Sequence, residues 1–143
     1  MMAVAADEAL QDIFARAFGC PLARLDAAPA AMPPDALSIR MLLACDGVAG
    51  AAVLSVPAGL VALVASRMVS GASAVALDEA GLRDFGGELC NMLVGRVAAR
   101  LAADGAEVTL GTPHAAVATV ATAAHWVCAG FPLDFQVCRG SAS

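Results

Sequence analysis

No lysine and no tyrosine occur in the 143 residues, asparagine occurs once, at Asn91, and tryptophan once, at Trp126. The eight basic residues are therefore all arginines, scattered singly in a chain of net charge −5. Nucleic-acid binding needs a basic stripe to neutralise phosphates, and this composition argues against it. P-loop, G-x-G-x-x-G and nucleophile-elbow patterns are missing, which removes the commonest nucleotide-binding and serine-hydrolase readings. Five cysteines, an odd number without a C-x-x-C pair, do not make a disulfide framework. Reduced thiols, packed as small hydrophobes in a cytoplasmic protein, are the expectation.

What is abundant is apolar: 60% of the residues are hydrophobic. Residues 47–66 and 108–133 carry no charge and are long enough to span a membrane. Pro57 breaks the first, and Pro113, His114, His125 and Pro132 interrupt the second, so both read as buried strands and helices. The N-terminal stretch has no basic region, and Asp7 and Glu8 interrupt any signal-like core. A single domain over 1–143 is expected, large enough to bury roughly two-thirds of its unfolded surface.

The most informative stretch is residues 84–95, Asp-Phe-Gly-Gly-Glu-Leu-Cys-Asn-Met-Leu-Val-Gly. Leu82, Phe85, Leu89, Leu93, Val97 and Leu101 follow three-and-four spacing, which predicts a long helix to about Ala103 with one apolar stripe. Asp84, Glu88, Asn91 and Gly95 recur at intervals of four, three and four and share a different edge of that helix. Gly86, Gly87 and Gly95 each cost the helix roughly 1 kcal/mol relative to alanine. Their missing side chains suit close approach of another helix or a partner. Asparagine is a poor helix former, so its one use in the chain, here, points to a task. Cys90 points about 100° away from Asn91 and is expected to pack.

Residues 88–95, Glu-Leu-Cys-Asn-Met-Leu-Val-Gly, resemble the signature helix of the CheC/CheX/FliY chemotaxis phosphatases. The family pattern is Asp or Ser, three residues, Glu, two residues, Asn, then about twenty-two residues and Pro. Asp84, Glu88 and Asn91 match in register, and Pro113 follows Asn91 after 21 intervening residues, one short. The resemblance, closest to the CheX branch, implies hydrolysis of the aspartyl phosphate on a CheY-like response-regulator receiver domain. It implies catalytic roles for Glu88, which would anchor the partner through a receiver lysine, and for Asn91, which would position the attacking water. Asp84, Gly87 and Gly95 would contact the partner. It further implies a homodimer, a pseudo-twofold arrangement, and no cofactor of the chain's own, the required Mg2+ belonging to the phosphorylated receiver. A non-catalytic module that binds a regulator without turnover is the alternative, since the spacing to Pro113 falls short.

Along the chain, Ala5–Phe18 is predicted as a first helix with Leu10, Ile13, Phe14 and Ala17 inward, ended by Gly19 and Pro21. Residues 27–34 read as a loop. Strands over 36–44 and 48–56 flank the hairpin signal Asp46-Gly47. Pro57 opens a second helix to about Val69, and 70–77 is a linker. Asp78 is the candidate N-cap of the signature helix, whose start could lie nearer Leu82 because of Gly81. Asp104-Gly105 ends it, and strands over 107–110, 115–121, 124–130 and 133–139 follow. This order gives an α+β fold, an antiparallel sheet with helices packed on one side.

Glu8 and Gln11 repeat the Glu88–Asn91 spacing with a longer amide and without glycines, and read as an ordinary helix start or a degraded second site. His125-x-x-Cys128 offers two metal-type ligands, but residues three apart on a strand face opposite sides. Both histidines, His114 and His125, are expected to be satisfied structural residues.

Overall fold

The computed structural model describes residues 2–25, 30–68, 77–117 and 123–139. Helix α1 (Met2–Leu10) continues as a π-helical segment over Gln11–Ala17. Here Phe18 N–H donates to the Ile13 carbonyl five residues back. The wider turn still delivers Leu10, Ile13 and Phe14 to the core, but Ala17, expected inward, is exposed. Gly19, at φ +65°, turns the chain out of the helix, a conformation that glycine adopts without penalty.

Strands β1 (Leu22–Arg24) and β2 (Ala30–Ala31) follow, then β3 (Leu37–Cys45) and β4 (Val48–Val56). β3 and β4 pair in perfect register about Asp46-Gly47, both at positive φ, as a two-residue hairpin turn requires. Pro57 precedes α2 (Ala58–Met68), and α3 runs from Glu79 to Ala103. Asp78 caps α3, its carboxylate accepting from Gly81 N–H at 2.7 Å, so the helix starts before Leu82 and Asp84 lies in its second turn. Gly105, at φ +94°, ends it, with Ala106 N–H returning to the Leu101 carbonyl.

The remaining strands are β5 (Val108–Leu110), β6 (His114–Val117), β7 (Ala123–Ala124), β8 (Trp126–Cys128) and β9 (Phe131–Arg139). Three differences from the sequence reading stand out. β1 and β2 fall where no strand is expected. The strand expected over 124–130 breaks at His125, and β9 begins two residues early through a turn at Ala129-Gly130. The linker expected over 70–77, except for Leu77, and the C-terminal part (118–121) of the strand expected over 115–121 lie outside the described residues.

Every strand pair is antiparallel. The main sheet runs β1-β8-β9-β4-β3-β5, with β6 also on β3, and β2 pairs with β7 separately. This is the expected α+β class. α1 packs on β9 and α3, and α3 lies across β3 and β4. The β3 burial alternates strictly, with Leu37, Ile39, Met41, Leu43 and Cys45 beneath the helices and Arg40 and Leu42 facing away. Burial of these residues with Leu89, Leu93, Val97 and Leu101 of α3 fixes the rotation of that helix on the sheet. No helix among the described residues is long and apolar enough to cross a membrane.

Candidate functional site

Rotation of α3 decides what it displays. Gly86, Leu89, Cys90, Leu93, Val94, Val97 and Leu101 are buried, while Asp84, Glu88 and Asn91 are exposed. At about 100° per residue, the Asp84–Glu88–Asn91–Gly95 edge points almost directly away from the centre of the buried arc. Neighbouring charges are engaged: Glu79 with Arg83 at 2.6 Å, and Arg100 with Glu8 at 2.6 Å. Asp84, Glu88 and Asn91 have no side-chain hydrogen bond or ion pair among the described residues. A polar ridge that neither packs nor pairs contributes nothing evident to folding.

The three glycines do different work. A Cβ on Gly86 would meet Ile39 Cδ1 at 3.2 Å and Leu37 Cδ1 at 3.4 Å, so Gly86 serves close packing of helix on sheet rather than openness beside Glu88. On Gly87 it would lie 3.9 Å from Pro113 Cβ, and around Gly95 nothing comes within 4 Å. Pro113 therefore flanks the ridge despite its short spacing in sequence. Between them lies an open groove of about 350 Å³, lined by Arg83, Asp84, Gly87, Glu88, Pro113 and His114.

His114 corrects an expectation. It is exposed, it has no side-chain partner among the described residues, and it forms the groove wall opposite Glu88. It reaches that wall by pairing in β6 with Arg40 of β3. Nothing in the sequence spacing signals this, because the contact depends on strand pairing across 74 positions (114 − 40). His125, in contrast, is satisfied: its Nδ1 lies 2.9 Å from the buried Asp134 carboxylate, which also accepts from Gln136 Nε2 at 2.8 Å. Cys128 faces elsewhere, its thiol donating to the Cys20 carbonyl at 3.4 Å. Among the described residues no three His, Cys, Asp or Glu side chains converge as a metal site.

Cys90 is fully buried, and burial pushes its thiol up to about 12, so it packs under the helix rather than acting as a nucleophile. On α1, Glu8 is held by Arg100 and the helix widens at Gln11, so this pair is not displayed as Glu88 and Asn91 are.

An antiparallel sheet backed by three helices is the architecture of the CheX- and CheC-like chemotaxis proteins. Residues 42–130, more than half the chain and including the whole ridge and Pro113, match the family model for the chemotaxis phosphatase CheX, and the chain belongs to that family. Among solved structures it is similar to the chemotaxis protein CheX from Vibrio vulnificus, with TM-score 0.75 and 16% identity over 98% of this chain and 97% of that one. CheX from Desulfovibrio desulfuricans gives 0.71 and 14%, over 97% and 99%. CheX in the CheX–CheY–BeF3–Mg2+ complex from Borrelia burgdorferi gives 0.58 and 15%, over 95% and 92%. At these identities the likeness is one of fold. Among curated protein sequences, none matches this chain.

Proposed function

We propose that this chain hydrolyses the aspartyl phosphate of a CheY-like response regulator, with α3 entering the receiver's active site. The observation that carries this reading is the ridge itself: Glu88 and Asn91 stand exposed and without partners directly opposite the core, in a chain of the CheX family. Phosphoryl transfer has a loose transition state and needs positioning and charge stabilisation more than a strong base. The Asn91 carboxamide donates and accepts hydrogen bonds without titrating, so it can hold one water in line with phosphorus. The water oxygen bonds to phosphorus as the aspartyl oxygen–phosphorus bond breaks. The receiver recovers its carboxylate, and inorganic phosphate leaves with the proton that water gives up.

Glu88, one turn back, pairs with the receiver lysine beside the phosphoaspartate and sets the docking angle. Asp84 extends the contact along the same edge, and Gly87 and Gly95 let the receiver backbone approach. The Mg2+ that supports the reaction belongs to the receiver. A homodimer is part of the same proposal, the short strands β5 and β6 having no further strand partner among the described residues on the β3 side of the sheet.

The test is a screen of phosphorylated receiver domains from the same genome for accelerated phosphate release, paired with a pull-down of each. Release above the intrinsic rate for at least one receiver supports hydrolysis. Capture without release would instead favour the non-catalytic module.

A further inference from the structure

Across the groove from the acidic ridge stands an exposed histidine of strand β6. His114 is exposed and lines the groove together with Asp84 and Glu88. The arginine at the groove, Arg83, is paired with Glu79 at 2.6 Å. His114 makes no hydrogen bond to Asp84 or Glu88 although all three line the same space of about 350 Å³. The groove thus has two sides, carboxylates on the helix and an imidazole on the strand, with a gap between them that no side chain among the described residues bridges.

We propose that His114 is a specificity-determining residue that selects the receiver by donating a hydrogen bond to a carboxylate on its docking face. This rests on the phosphatase reading above. A phosphorylated receiver carries Mg2+, a hard cation held by oxygen ligands, so acidic side chains surround its active site. Docked on α3, such a face presents a cation to Glu88 and carboxylates to the wall at His114. Charge complementarity of this kind sets partner choice more than raw affinity. His114 touches the partner rather than the reacting atoms, so its substitution moves KM and partner ranking and leaves turnover at saturation.

The experiment uses the full chain with His114→Ala, His114→Gln and His114→Glu, against a panel of receivers from the same genome. Affinity is measured for each receiver loaded with beryllium trifluoride and Mg2+, and KM and kcat for each phosphorylated one. Loss of one hydrogen bond in His114→Ala weakens binding about tenfold, with kcat within about twofold. His114→Gln, which keeps a donor, restores most of it, and His114→Glu weakens binding roughly a hundredfold and reorders the panel. Unchanged affinity and ranking in both the Ala and Glu variants, with wild-type binding intact, would overturn the role of His114 and leave the phosphatase reading standing. Wild-type binding without release, still sensitive to His114, would overturn the phosphatase reading alone. Failure of the wild type to bind any receiver would sink both.

Discussion

Absence of lysine and tyrosine gives the cysteines an unusual weight in this chain's response to alkali. Burial raises the thiols of both Cys90 and Cys128 from 9.0 to about 12, with Cys128 further raised by its contact with Cys20. In the unfolded chain these thiols ionise near their ordinary value, so above it the unfolded state binds fewer protons than the folded one. The associated stability is complete below pH 9 and is lost as pH climbs toward 12. With no lysine or tyrosine titrating in that window, urea unfolding between pH 8 and 11 should report the thiols directly. The expected outcome is a steady fall in unfolding free energy above about pH 9, made shallower by Cys90→Ala measured against its own value at pH 8. A flat profile would contradict the buried, protonated state of these thiols.

At the level of the element, α3 is held by its apolar stripe and carries glycines for two separate reasons, which substitution separates. Gly95→Ala places a methyl in open space and should gain about 1 kcal/mol of helix stability. Gly86→Ala earns the same propensity but must push Ile39 aside, so its melting temperature should rise less or fall. Thermal denaturation of the two variants checks the order, and Gly86→Ala proving the more stable would be the contrary result. Much of this element was legible beforehand. Apolar spacing from Leu82 to Leu101 defines the azimuth of every other residue at a constant angle per position, so an exposed edge for Asp84, Glu88 and Asn91 follows from local pattern alone. The β3–β4 hairpin was legible for a similar reason, since Asp and Gly tolerate the left-handed conformation that the turn demands. By contrast, Ala129 adopts φ +50° without any such tendency, so the β8–β9 turn was hidden. β1 and β2, three and two residues long, offer no alternation to read, and the π-helical segment shares its spacing with an ordinary helix. The strand side of the groove was legible only through Pro113 of the family pattern; the place of its neighbour His114 depends on strand pairing and not on local sequence.

For the molecule as a whole, one face of β3 is turned to the core while Leu42, on the other face, is 56% exposed. Leu110, 42% exposed, adds an apolar side chain at the β5 edge. Self-association through that edge should give twice the chain mass by sedimentation equilibrium, and Leu110→Lys should shift it toward the monomer. A wild type of single chain mass at micromolar concentration would contradict the dimer without touching the site.

The central claim is that an amide on an exposed ridge holds the water that frees phosphate from a receiver. Its most direct measurement is single-turnover phosphate release from a phosphorylated receiver with the wild type and with Asn91→Ala. An exposed position tolerates alanine, so the variant should melt within about 2 °C of the wild type. It should bind the receiver while release falls by about a hundredfold or more, to the receiver's intrinsic rate. Full release by folded Asn91→Ala protein would contradict the account.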